Sequence, residues 1–459
     1  FPPTRFSVPA RSRWMFDRCF QIATAAINPV NHTKSRCKNH VATGNAAPMV
    51  DAGPDYTIPR LTPFVLTGSA SDNSPLSYNW EQFDRADTRR AIDTDDGLGP
   101  IIRSVPPTAD PVRTIPHLPD LLAGVTRKGE ILPQVDRDLN FRFIARDNLM
   151  GGGGVAYDEM VVHVAGDPFF LISPNSGTLQ AGCIAPLSWQ VGGGAVAAQV
   201  EALFSTDGGA SFPTALTGPV ANDGADSFVV PCQTGNQSRV RLQAVGNIFF
   251  DVSDENLAVA NTPPEVSVEA SSGEVDAACE YLVQFSATVT DQCGVTASNV
   301  TVGFTPLGNN FTLGAPTVNK VQNGTAQVDV SGSVLVSGLT GSPATLDIQV
   351  AAIDACGAQT TDSAQASVVD AIPPEISASV SPDTLFPPNH KLHAITADVV
   401  ATDNCPVVNF TLTSASSDEP DNGLGDGDTV GDIQDATFGS ADVNLLLRAE
   451  RSGQGDGRV

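Results

Sequence analysis

Along most of the chain, apolar residues recur at every second position. Phe141, Phe143 and Ala145 alternate with polar neighbours, as do Val240, Leu242 and Ala244, and Leu346, Ile348 and Val350. Val328, Val330 and Val334-Leu335-Val336 form another such set. A period of two with one apolar side belongs to strands covered on one face by a packed partner sheet. The runs are short, and Gly, Pro, Asn and Asp separate them without helical periods between. That pattern predicts antiparallel sandwiches. Gly151 to Gly154 divide the 141–145 run from an extended run over 155–164, which reads as a hairpin with a glycine turn.

Internal repetition sets the boundaries. Pro263-Pro264-Glu265-Val266-Ser267 recurs as Pro373-Pro374-Glu375-Ile376-Ser377, and Asn45-Ala46-Ala47-Pro48 is a degenerate version of the same entry. Proline pairs stiffen a linker and cannot continue a sheet ladder. A second repeat marks an inner strand end: Thr290-Asp291-Gln292-Cys293, Ile353-Asp354-Ala355-Cys356 and Thr402-Asp403-Asn404-Cys405. The spacing predicts β-modules at 46–167, 168–260, 261–371 and 372–459. It is too long for solenoid repeats. Residues 1–45 stand apart, with Arg5, Arg11, Arg13, Arg18, Lys34, Arg36 and Lys38 against Asp17. A short helix fits 14–22, where Met15, Phe16, Cys19 and Phe20 share a face. This segment reads either as a basic arm or as the edge of a preceding domain. The start at Phe1 and an ending inside a strand-like run suggest a piece of a longer protein.

Charge narrows the partners. The net charge is −26, and 51 carboxylates face 25 Lys and Arg. Neutralising a nucleic-acid backbone needs clustered cations, so no nucleic acid is expected. No stretch of 18 apolar residues occurs, so no membrane insertion is expected. An acidic surface suits a secreted, extracellular protein. Eight cysteines are present: Cys19, Cys37, Cys183, Cys232, Cys279, Cys293, Cys356 and Cys405. None forms a CxxC pair, so a thiolate zinc cage is disfavoured. Wide spacing reads as scattered disulfides in an oxidising compartment, with free buried cysteine as the alternative.

Few residues offer chemistry. The six histidines include no HExxH pair, and there is no GxSxG elbow, Walker loop or GxGxxG. His390 and His393 are the only close pair, and neighbours three apart on a strand point to opposite faces. Ser205-Thr206-Asp207-Gly208-Gly209-Ala210-Ser211-Phe212 matches an Asp-box, whose Asp and Ser bond a hairpin turn. Trp80 and Trp189 lie in strand-like contexts and read as core anchors. The acidic stretch from Asp418 is more suggestive. Hard cations want several oxygens, and glycine lets a loop wrap them. Asp418, Asp421, Asp426, Asp428 and Asp432 are therefore candidate Ca²⁺ ligands, against a solvated acidic loop. Asp93, Asp95 and Asp96 form a weaker cluster.

Several ordered motifs carry a resemblance. Ala52-Gly53-Pro54-Asp55-Tyr56-Thr57-Ile58, Phe64 to Asp72 and Leu76-Ser77-Tyr78-Asn79-Trp80 resemble the PKD-type Ig-like module. An insertion at roughly 85–135 departs from its short form. With Phe141 to Asp147 and Ala244 to Asp251, the stretch 45–260 resembles the region after the catalytic domain in secreted bacterial reprolysin-like zinc metallopeptidases. Residues 264–371 are similar to hyalin-repeat-like modules. Residues 373–459 look like a common bacterial C-terminal module. The resemblance implies an all-β string of tandem Ig-like and PKD-like antiparallel β-sandwiches with a short partly helical N-terminal segment. It implies a non-catalytic array of spacers that engages a protein substrate or a cell-surface polymer. Zn²⁺ would belong only to a catalytic domain ahead of Phe1, where residues 1–45 would be that domain's tail. A surface adhesion protein without a protease is the alternative, and a glycan-active enzyme a third. On this view Cys183 pairs with Cys232 and Cys279 with Cys293, each inside one module, and Cys405 lacks a partner.

Overall fold

A computed structural model describes residues 44–85, 93–150, 152–193, 196–406, 409–418, 420–422 and 429–451. The readings made on 1–43 lie outside them. The described chain is all-β and built mainly of antiparallel pairs, with parallel pairs joining 56–58 to 162–164, 178–180 to 258–260 and 273–274 to 368–369; its helical pieces are Leu118–Leu122 and the 3-10 turn Ala297–Asn299. It divides into two compact units. Of the described residues, the first holds those within 44–177, 186–226 and 237–256, and the second those within 178–185, 227–236 and 257–451.

In the first unit, the strands Arg137–Arg146 and Val155–Val164 form the expected hairpin. Asp147 organises its glycine turn by accepting the N–H groups of Leu149 and Gly154 and the side-chain amide of Asn45. These bonds hold the Asp147 carboxyl below its usual range, the Asn45 bond most strongly. The edge strand Ser77–Gln82 pairs with Arg137–Arg146 and brings Trp80 opposite Phe143. The two rings lie 4.8 Å apart. Phe64, Phe141, Phe143, Phe169, Phe204, Phe249 and Phe250 are fully buried with them. Trp80 and Trp189 are core residues as expected, at 2% and 3% exposure. Each indole N–H has a partner, Pro111 O at 2.8 Å and Asn222 Oδ1 at 2.7 Å.

The described part of the insertion docks onto this sheet. Gln82 Oε1 accepts the Ile101 and Ile102 N–H groups. The strand Val112–Ile115 pairs with Phe64–Thr67. Buried Arg113 donates to Trp80 O at 2.6 Å and lies 3.0 Å from buried Glu130. Arg137 likewise reaches Asp95 at 2.6 Å. Charge is buried only where it is paired, so these bridges fix the insertion's seat.

The second unit is built from longer, plainer strands. Glu280–Thr290 runs antiparallel to Gln327–Ser337, and Ala344–Ile353 to Gln359–Val369. Their inward residues form one aliphatic core, with Val283, Val289, Val328, Val336, Ile348 and Val350 fully buried. Phe285 faces Gly332 across the pair, where a Cβ would stand 2.6 Å from the ring. The glycine is thus a seat for the aromatic ring. Toward the C-terminus, a four-stranded sheet contains Glu375–Ser381, Leu392–Thr402, Asn444–Arg448 and Ile433–Gln434.

Candidate functional site

Two of the three repeated Asp-x-Cys segments share one local structure, and in the third the aspartate caps the next residue instead. Asp291 Oδ1 accepts the Cys293 N–H at 2.8 Å, and Asp354 Oδ1 accepts those of Cys356 and Ala358, each at 2.8 Å. Asp403 Oδ1 takes the Asn404 N–H at 2.7 Å. Such side-chain turns end a strand. Each turn then presents its cysteine to a disulfide. The pairs are Cys183–Cys293, Cys232–Cys356 and Cys279–Cys405, all within the second unit.

This corrects the expected pairing. Cys183 does not join Cys232, Cys279 does not join Cys293, and Cys405 has a partner. The physical reason lies at the strand ends. Gly182 N–H bonds Val230 O, and Val230 N–H bonds Cys183 O, so the segments 178–185 and 227–236 lie side by side. Their cysteines then meet the 293 and 356 turns, with Cα separations of 4.4 and 5.2 Å. Gly182 is required there. A Cβ on it would stand 3.0 Å from Cys356 Sγ, and its φ is +78°. At the third bridge, Asn404 Nδ2 donates to Asp276 O at 3.0 Å, beside the Cys279 turn.

The candidate Ca²⁺ ligands are partly brought together. Asp421 Oδ1 accepts the N–H groups of Gly431 at 3.0 Å and Asp432 at 2.7 Å. Buried Asp432 lies 3.4 Å from Arg448 Nε, which also lies 3.7 Å from buried Glu450. Asp426 and Asp428 lie outside the described residues. Among the described residues no group of three or more His, Cys, Asp or Glu is placed to hold a metal ion. His390 Nδ1 lies 2.8 Å from Glu450 Oε2, while His393 Nε2 lies 3.4 Å from Asn389. The two histidines therefore serve different neighbours. Asp93, Asp95 and Asp96 also diverge. Asp95 pairs with Arg137, Asp93 lies 3.8 Å from Lys128, and Asp96 accepts the Leu98 N–H.

The Asp-box forms a turn as its residues predict. Ser205 Oγ and Ser211 Oγ each donate to Asp207 at 2.6 Å. These hydroxyl bonds hold the Asp207 carboxyl far below its usual range. Two half-buried charges nearby escaped sequence reading. Arg241 stacks on the Phe250 ring at 4.1 Å, and burial lowers its guanidinium to about 10. Asp251 accepts the Leu171 N–H at 2.7 Å, and burial pushes its carboxyl up to about 7. Nothing in the sequence marked Asp251 as withdrawn from water.

No family model matches the chain, and no curated protein matches it. Solved structures that match are mostly tandem Ig domains. Sidekick-1 immunoglobulin domains 1–5 are 11% identical, with 90% of this chain and 78% of that chain covered and a TM-score of 0.19. The I9–I11 tandem of titin is 10% identical, with 70% and 100% covered and a TM-score of 0.24. SGBP-B from the Bacteroides ovatus mixed-linkage glucan utilization locus is 11% identical, with 76% and 76% covered and a TM-score of 0.17. At identities and TM-scores this low, none of them bears on what the chain binds. Nothing in them identifies a reprolysin-like metallopeptidase. The three disulfides fit an extracellular location. No described helix is long and apolar enough to cross a membrane.

Proposed function

We propose that this chain is the non-catalytic β-sandwich array of a secreted bacterial zinc metallopeptidase. It spaces its modules and engages a protein substrate or an extracellular polymer. The observation that carries the reading is the set of disulfides at equivalent strand ends, each closing a loop of 110 to 126 residues. Cross-links of that reach restrict the unfolded chain. They suit a surface-presenting element that works outside the cell. The ordered motifs of 45–260 support the peptidase parent. Reading the coding sequence ahead of Phe1 tests it. A HExxHxxGxxH motif is the expected result, and further sandwich repeats in its place would favour the adhesion protein. The purified chain, given zinc, should leave casein intact. Cleavage that EDTA stops would overturn the non-catalytic reading.

A further inference from the structure

We propose that the strand Glu375–Ser381 pairs edge to edge with the same strand of a second copy of this chain. It is an outer strand of its sheet, laddered to Leu392–Thr402 alone. All seven of its residues are exposed, Ile376 at 65% and Val380 at 50%.

A repeat within the chain shows what an occupied edge of this kind looks like. The strand Glu265–Ala270 follows the same Pro-Pro entry, and its register is equivalent. Glu265 lies opposite Thr290 as Glu375 lies opposite Thr402. There the Val268 N–H turns away from its ladder and donates to Asp362 Oδ2 at 3.1 Å. Val266, Val268 and Ala270 also pack against the core of the unit. Ala378 stands in the place of Val268. Among the described residues, no group receives its N–H on that side. A bare ladder edge is a template for another strand.

A neighbouring outer strand is blunted. Thr317–Asn323 carries Lys320 at its centre, and Lys320 Nζ donates to Val300 O on the adjoining edge. Pairing that strand with its own copy about its middle would set Lys320 against Lys320, which like charge opposes. Glu375–Ser381 is built the other way. About Ala378 its pattern is nearly the same in both directions. Antiparallel pairing on that centre sets Ala378 opposite Ala378, Ile376 opposite Val380, Ser377 opposite Ser379 and Glu375 opposite Ser381. Apolar meets apolar, hydroxyl meets hydroxyl, and the strand's one charge meets no like charge. The outward residues Ile376, Ala378 and Val380 would each exchange both backbone bonds with the second copy. Pro374 and Pro382 bound the strand at both ends, so the two copies offer ladders of equal length. A foreign peptide would gain the same backbone bonds, but a second copy also matches the strand's length and symmetry. A twofold axis through Ala378 closes the pair.

Sedimentation equilibrium of the whole chain tests this. A reversible monomer–dimer equilibrium is expected, with a Kd of about 100 μM for an interface below the standard size. Ala378→Lys sets two cations opposite each other and should weaken it about tenfold. Ala378→Cys reads the register by a separate route. The Cα atoms of a bonded antiparallel pair lie about 5.5 Å apart, within disulfide reach. Mild oxidation should therefore link two copies through position 378, as the mass of the linked peptide would show. Ile376→Cys should not link, because its two copies would stand about 14 Å apart along the ladder. A chain that stays monomeric, a dimer that Ala378→Lys leaves unchanged, or equal linking through both positions would overturn the proposal. In a monomeric chain, binding of acetyl-Thr-Val-Thr-Val-Thr-Val-Thr amide would give the edge to a foreign strand instead.

Discussion

The two units close their interiors with different chemistry. In the first, large rings meet at the centre: Phe64, Trp80, Phe141, Phe143, Phe249 and Phe250 are all essentially inaccessible. Paired arginines seat the loops around them. The second buries mostly Val, Ala, Ile and Leu, and Cys279 and Cys405 belong to its core. Among the described residues all three disulfides are there. Each aromatic side chain buries about 150–250 Å², so a few rings and ion pairs can fix irregular loops. Valine and alanine bury less per residue. A unit made from them gains more from restricting its unfolded chain. The same β-sandwich plan is thus held by packing in one unit and by covalent closure in the other.

Reduction should separate them most sharply. Each bridge closes a loop long enough to contribute up to about 4–5 kcal/mol. Dithiothreitol should therefore melt the second unit first, while the near-ultraviolet circular dichroism of Trp80 and Trp189 persists. A single transition that loses both together would break the comparison. Next in size is Glu130→Ala, which strands Arg113 in the interior. It should cost about 3–5 kcal/mol and lower only the first unit's transition in calorimetry. An equal fall in the second unit's transition would contradict that confinement.

Acidification should sharpen the contrast further. Asp251 has a folded value of about 7, above its ordinary 3.8, because burial penalises its charge. The folded state therefore holds the proton more tightly than the unfolded one. The associated stability is present in full below about pH 4 and is lost as pH rises toward 7. From neutral pH to about pH 5, the first unit should gain roughly 1–3 kcal/mol from this group. Asp251→Asn should flatten that slope, and an unchanged slope would contradict the assignment. The smallest effect concerns Ca²⁺. We propose that it binds the 418–435 loop weakly, because Arg448 already lies beside Asp432. A rise of about 1–2 °C in the second unit's melting temperature is expected, and identical curves with EDTA and Ca²⁺ would count against it.

The strands were legible because alternation reports burial directly. Val240, Leu242, Leu346, Ile348 and Val350 all point inward as their spacing predicts. The Trp80 and Trp189 anchors and the Asp207 turn were legible for similar local reasons. The disulfide pairing was not. The three Asp-x-Cys turns marked equivalent strand ends, but each partner is over a hundred residues away in sequence. Only the backbone bonds between Gly182, Cys183 and Val230 bring two of those partners into place. The insertion was opaque for another reason. Nothing in the sequence pairs Arg113 with Glu130, which neutralise each other inside the fold.

The most direct measurement is the cystine map of the unreduced protein, by proteolysis and mass spectrometry. The account predicts peptides linking Cys183 to Cys293, Cys232 to Cys356 and Cys279 to Cys405. Peptides linking Cys183 to Cys232 and Cys279 to Cys293, or free thiols at these positions, would contradict it.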